Sequence, residues 1–279
     1  MSGFFQALMN QSFLQNALLA GILASIGCGV VGTYVVVKKI GYLAGGIAHA
    51  VLGGMGLAIF LGQPPMAGAT IAALVAALII GWVSLRWRQH EDTLIGALWA
   101  VGMAIGIIFI SKTPGYNVDL MSYLFGNILM VSRLDIIMMT ILDLVIILIV
   151  FLFYRLFLAV CFDDEFARLQ GVPVNLFYLL LLCLTALTVV LLIQVVGLIL
   201  VIALLTLPAA IAGHHVGSLG RMMVVAVILG ALFTSGGLIL SYEPDLPAGA
   251  SIILLAAGGY ILSFFGKYLM TRRRRKRTS

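Results

Sequence analysis

VNLFYLLLLCLTALTVVLLIQVVGLILVIALLTLPAAIAG, residues 174–213, is the stretch on which the reading of the whole chain turns. A helix rises about 1.5 Å per residue and needs roughly 20 apolar residues to cross a bilayer, so this run is twice the length of one span. Gln194 is the polar residue near its middle. A break there gives two spans, 174–192 and 195–213. The chain then carries nine apolar segments, at about 13–37, 41–61, 66–85, 93–111, 134–159, 174–192, 195–213, 222–240 and 248–269.

Basic residues accumulate on the cytoplasmic side of membrane proteins, and they test this count. With nine crossings one side receives Lys38, Lys39, Arg86, Arg88, Arg155, Arg168, Arg221 and the seven basic residues from Lys267 to Arg277, while the other receives only Lys112 and Arg133. Fusing the two halves of 174–213 would move Arg221 and the basic tail to the wrong side. The sequence therefore predicts an all-α, polytopic helical bundle of eight or nine spans, with the N-terminus outside and the C-terminus inside.

Composition agrees. Hydrophobic residues make up 63% of the 279 and charged ones only 9%, with a mean hydropathy of +1.19, far outside the range of a water-soluble domain. One transmembrane domain accounts for residues 1–279, and no stretch is long enough for a separate soluble unit. The first long run has no cleavage-type flank and reads as an uncleaved span. Cys28, Cys161 and Cys183 are widely separated and read as small core residues. The formal charge of +6 resides mainly in the tail at 271–279, beside the last span, where it meets anionic lipid rather than nucleic acid.

A charged island between spans is FDDEFARLQGVP, residues 162–173. Asp163, Asp164 and Glu165 suit a helix start, Ala167 and Arg168 continue it, and Gly171 followed by Pro173 ends it. This predicts a short cytoplasmic helix that presents a surface to an energy-supplying partner. No GxxxxGK[ST], GxSxG or HExxH occurs, so the chain has no nucleotide-binding or hydrolytic motif of its own.

Two ionisable residues fall deep within spans. His49 is about eight residues into its segment, on the order of 12 Å deep, on a stripe with Gly41, Gly45 and Gly53 that lets another helix approach. Asp143 is about nine residues into the fifth segment. Ionisable groups at such depth are costly unless they pair or line a path, so both are candidates for a cation route. Asp119, Glu243 and Asp245 lie on the outer side and could draw cations to a mouth, or serve as turn residues. Asp135, near the outer interface, reads as solvated. Pro208 and the pair Gly236-Gly237 are candidate hinges. His214-His215 and the segment 89–92 (QHED) fall on the cytoplasmic side.

Together these stretches resemble the integral-membrane permeases of the zinc, manganese and iron family of bacterial ABC importers. YLAGGIAHAVLGG (42–54) is similar to the family's His-bearing second helix, NVDLMSYLFGN (117–127) to its loop before the middle helix, and FDDEFARLQGV to its ATPase-coupling segment. VGLILVIALLTLPAAIAG (196–213) and DLPAGASIILLAA (245–257) are similar to its later helices. The VDLMSYLFG stretch is nearest to zinc-uptake members.

That resemblance implies a bacterial inner-membrane homodimer, a separate cytoplasmic ATP-binding subunit, an extracytoplasmic metal-binding protein, and a transported divalent cation, Zn²⁺ or else Mn²⁺ or Fe²⁺, with no permanently bound cofactor. Many relatives carry Asp four residues before the His, where this chain has Gly45. An ion-coupled secondary transporter and a membrane-embedded metalloenzyme using His49 with Asp143 are the competing readings.

Overall fold

The computed structural model describes residues 2–87, 91–113, 126–244 and 246–275. Among these, the regular elements are helical: α1 (Ser2–Asn10), α2 (Ser12–Lys38), α3 (Gly41–Phe60), α4 (Pro65–Arg86), α5 (Glu91–Ser111), α6 (Arg133–Leu152), α7 (Tyr154–Phe162), α8 (Asp164–Leu169), α9 (Val174–His215), α10 (Leu219–Tyr242) and α11 (Ala248–Arg275), with a 3₁₀ turn at Ile128–Met130. Among the described residues, eight helices are long and apolar enough to cross a membrane, and Val201–His215 is a shorter apolar helix. The bundle is polytopic, as the sequence predicts.

α9 runs through both halves of the opening stretch, and its backbone leaves helical geometry at Gly197, where φ is 76° and ψ 171°. A side chain disfavours that region, so glycine, three residues beyond Gln194, makes the break. Forty-two unbroken helical residues would span about 63 Å. Instead Val174 and Tyr178 share a cleft with Val37 and Lys38, and Ala210 and His214 share another with Val36 and Val37. Both ends of α9 therefore lie beside the end of α2. The helix folds back on itself, and Pro208 sits within a helical stretch of the returning arm rather than at the break.

Segment 134–159 also differs from the expectation. It divides at Phe153 into α6 and α7. Ser132 and Asp135 start α6 with a capping box: the Asp135 N–H donates to Ser132 Oγ at 3.2 Å, and the Ser132 N–H to Asp135 Oδ2 at 2.9 Å. This satisfies backbone donors that a helix start leaves open.

α2 and α9 form the centre, with α3, α4 and α5 on one flank and α10 and α11 on another. Burial of apolar area gives little drive between helices inside a membrane, so close backbone approach matters. A Cβ on Gly53 would lie 2.9 Å from the Gly102 carbonyl oxygen, and one on Gly29 2.5 Å from the Val227 nitrogen. Gly236-Gly237 continues α10 without a break, and a Cβ on Gly237 would meet the Ile252 backbone at 2.5 Å. Outward faces are apolar, as at Val101, Leu144 and Leu254.

The contacts also sort the loops into two ends. Lys38, Lys39, Ser84, Asp164, Arg168 and Val174 meet at one. At the other, Asn16 donates to the Val131 carbonyl at 3.4 Å, Gly126 packs on Gly197, and the Phe4 and Tyr242 rings are 5.5 Å apart.

Candidate transport path and coupling surface

α3 starts at the basic end, so His49 lies two turns in, with 6% of its surface exposed. Its ring stacks on Trp99 of α5, with centroids 3.8 Å apart and planes 9° from parallel. α3 and α5 run in the same direction, since Gly46 meets Ile95, Gly53 meets Gly102 and Gly56 meets Gly106. Their glycines bring the backbones close enough for the two rings to lie face to face. Gly45 is part of that arrangement, because a Cβ there would stand 2.8 Å from Ile202 Cδ1 and 3.9 Å from Trp99 Cζ3.

Stacking occupies the face of the imidazole and leaves its edge free. Metal cations bind imidazole nitrogens in the ring plane, so Trp99 orients His49 without blocking coordination. His49 Nδ1 is buried and has no hydrogen-bond partner among the described residues. A buried polar atom in that state carries a desolvation cost of about 1–3 kcal/mol and calls for an explanation. A passing ligand is one.

Asp143 is 3% exposed, and both of its carboxylate oxygens are buried without hydrogen-bond partners among the described residues. It faces α2, where a Cβ on Gly27 would stand 2.9 Å from Oδ1, with Thr188 and Leu191 of α9 against the same glycine. His49 and Asp143 thus occupy different interfaces, α3 with α5 and α6 with α2. Among the described residues no group of three or more His, Cys, Asp or Glu converges as a metal cluster. Among the described residues, His49 and Asp143 are not brought together at one helix interface.

Asp119 and Asp245 lie outside the described residues, as does most of 117–127. Glu243 is exposed and ends α10.

The charged island forms α8. Asp163 caps it, accepting the Phe166 N–H at 2.9 Å, and Ala167 is fully buried. Gly171 ends it with φ 78° and open space around its α-carbon, so conformation rather than crowding requires glycine. Arg168 Nη2 donates to Asn175 Oδ1 at 3.1 Å.

The anchor that sequence reasoning missed is Lys38. Its ammonium donates at 2.7 Å both to Asp164 Oδ1 and to the Val160 carbonyl, tying α8 to the end of α2. Outward, α8 and its approach present Phe162, Phe166 and Leu169, which are 68%, 55% and 87% exposed, around the exposed Glu165. Nothing in the sequence pairs residues 126 positions apart, and Trp99 was hidden as one aromatic residue in an apolar span.

The chain is similar over nearly its whole length to named transport proteins. It is 38% identical to the manganese transport system membrane protein MntC of Halalkalibacterium halodurans, covering 94% of this chain and 90% of that one. It is 35% identical to the manganese import system permease protein ScaB of Streptococcus gordonii, covering 94% of each. Among solved structures, a chain of PsaBC from Streptococcus pneumoniae, in complex with a Fab, superposes with a TM-score of 0.86 at 35% identity, covering 94% of this chain and 95% of that chain. The ABC 3 transport family matches residues 10–267, and the chain, a multi-pass permease of the bacterial plasma membrane, belongs to that family of metal transporters.

Proposed function

We propose that the chain is the membrane subunit of an ATP-driven importer for a divalent transition-metal cation, that two copies form the translocation unit, and that a separate cytoplasmic ATP-binding subunit docks on α8. The observation that carries this reading is α8 itself: a capped helix, moored by Lys38, that exposes three large apolar side chains among charges at the basic end. A surface of that kind fits a protein groove better than water. An extracytoplasmic binding protein delivers the ion to the opposite end, and His49 is a transient stop along the path.

Zn²⁺ is the proposed cargo, with Mn²⁺ and Fe²⁺ the alternatives. Four of the similar proteins are named for manganese. The donor here is a single imidazole with an aromatic wall and no carboxylate bonded to it, a set better suited to Zn²⁺ than to the oxygen-seeking Mn²⁺. Substituting Glu165 and Gly171 together by alanine tests the docking surface. Metal-dependent ATP hydrolysis by the assembled transporter is expected to fall while the bundle stays folded; unchanged hydrolysis would reject α8 as the coupling surface.

A further inference from the structure

His214 and His215 close the returning arm of α9, and consecutive helical residues point about 100° apart. Their side chains nevertheless meet at one atom. His214 Nδ1 and His215 Nε2 each lie 3.1 Å from Ser263 Oγ of α11, and the two ring centroids are 6.4 Å apart with planes at 73°. Tyr260, one turn earlier on α11, backs the His214 ring at 5.6 Å. A cleft of about 490 Å³ opens beside His214, lined also by Met222 and Tyr260, and it shares Val37 with the cleft next to α8. Two imidazole nitrogens and a hydroxyl are therefore gathered at the basic end, outside the His49 site.

We propose that His214, His215 and Ser263 form an open, low-affinity site for an imidazole-seeking divalent cation such as Zn²⁺. A zinc–nitrogen bond is about 2.0–2.1 Å, so an ion drawn between the two rings replaces their hydrogen bonds to Ser263 Oγ, which stays beside it as a supporting oxygen, and water completes its shell. The hydroxyl has one proton and can bridge both rings only while one imidazole donates to it. Replacing that bridge leaves no buried group unsatisfied, because the site faces solvent. Lys267 follows Ser263 by one turn and its charge reaches His214, which weakens the hold on a cation. A station that must release its ion needs weak binding. Its role as the exit from the path rests on the importer reading, whereas its binding of metal does not.

Diethyl pyrocarbonate labelling of the full chain in lipid nanodiscs, read peptide by peptide by mass spectrometry with Zn²⁺ and with Mg²⁺ as control, tests it. Zn²⁺ is expected to slow modification of His214 and His215 with one shared midpoint, and Mg²⁺ to leave both rates unchanged. Ser263→Ala should raise that midpoint about tenfold, the loss seen when a supporting group at a metal site is removed. His214→Ala should abolish protection of His215. Rates indifferent to Zn²⁺, or full protection of His215 in His214→Ala, would overturn the shared site. His49 is read in the same experiment, so its behaviour is scored separately. Protection at 214 and 215 without ATP-driven uptake would sustain the site and remove its exit role.

Discussion

His49 is the residue on which the proposed transport path depends, and Trp99 stacks against its ring. Removing the imidazole removes the one deep nitrogen donor, so His49→Ala is expected to lower metal uptake at least about tenfold, since even partners outside the first coordination shell cost that much. Trp99→Phe should keep the stack and most of the uptake. Trp99→Ala should lose both, together with less stability than the about 3–5 kcal/mol lost with a fully buried aromatic, since Trp99 is only half-buried. Uptake and thermal melting of the two variants distinguish orientation of the ring from simple filling. Asp143 calls for a different expectation. Its carboxyl has no donor, so Asp143→Asn removes an unpaired group of costly type without changing shape. The variant should melt no lower than the wild type, and a clear fall in Tm would mean that the carboxylate has a partner. Depth and chemical type made both residues visible in the sequence. Their separation was not visible, because the choice of which helices touch is made by glycines such as Gly53 and Gly102, whose pairing no linear pattern records.

At the scale of elements, two features govern the architecture. Gly197 turns α9 back, in a conformation that is costly for any other residue. Gly197→Ala is expected to destabilise by about 1–3 kcal/mol, measured as a lowered Tm, and Gly126 packed against the same point leaves no room for relief. The sequence located this break within three residues through its one polar side chain and the balance of basic residues. Pro208 lies inside a helical stretch of the returning arm, where neighbouring residues can accommodate its missing N–H. The second feature is the Lys38–Asp164 mooring. Its ends are 16% and 32% exposed, so its contribution to stability is only about 1 kcal/mol. Lys38→Gln should therefore leave the fold intact yet reduce metal-stimulated ATP hydrolysis, because α8 loses its tie to the span that must move with it. The start and stop of α8 were legible in Asp163 and Gly171; the lysine that fastens it was not.

For the whole molecule, the basic residues and the contacts agree on two ends. Lys38, Lys39, Arg168 and the returning end of α9 gather at one, which on the distribution of charge is the cytoplasmic end. His49 is about 12 Å from that end, α8 projects from it, and the His214–His215 pair opens at it. On the proposed function, a partner that binds ATP and the inner portion of the ion path lie on the same side of the membrane. Coupling then requires only that force on α8 reach α2 through Lys38, with α2 packed along both arms of α9. On the proposed function, metal moves through this chain only when an ATPase works on α8. The most direct test is uptake of Zn²⁺, Mn²⁺ and Fe²⁺ into proteoliposomes that contain the chain, a candidate ATPase and its binding protein, with and without ATP and with His49→Ala in parallel. ATP-dependent Zn²⁺ uptake that is lost in the variant is the predicted result; uptake that proceeds without the ATPase would contradict the account.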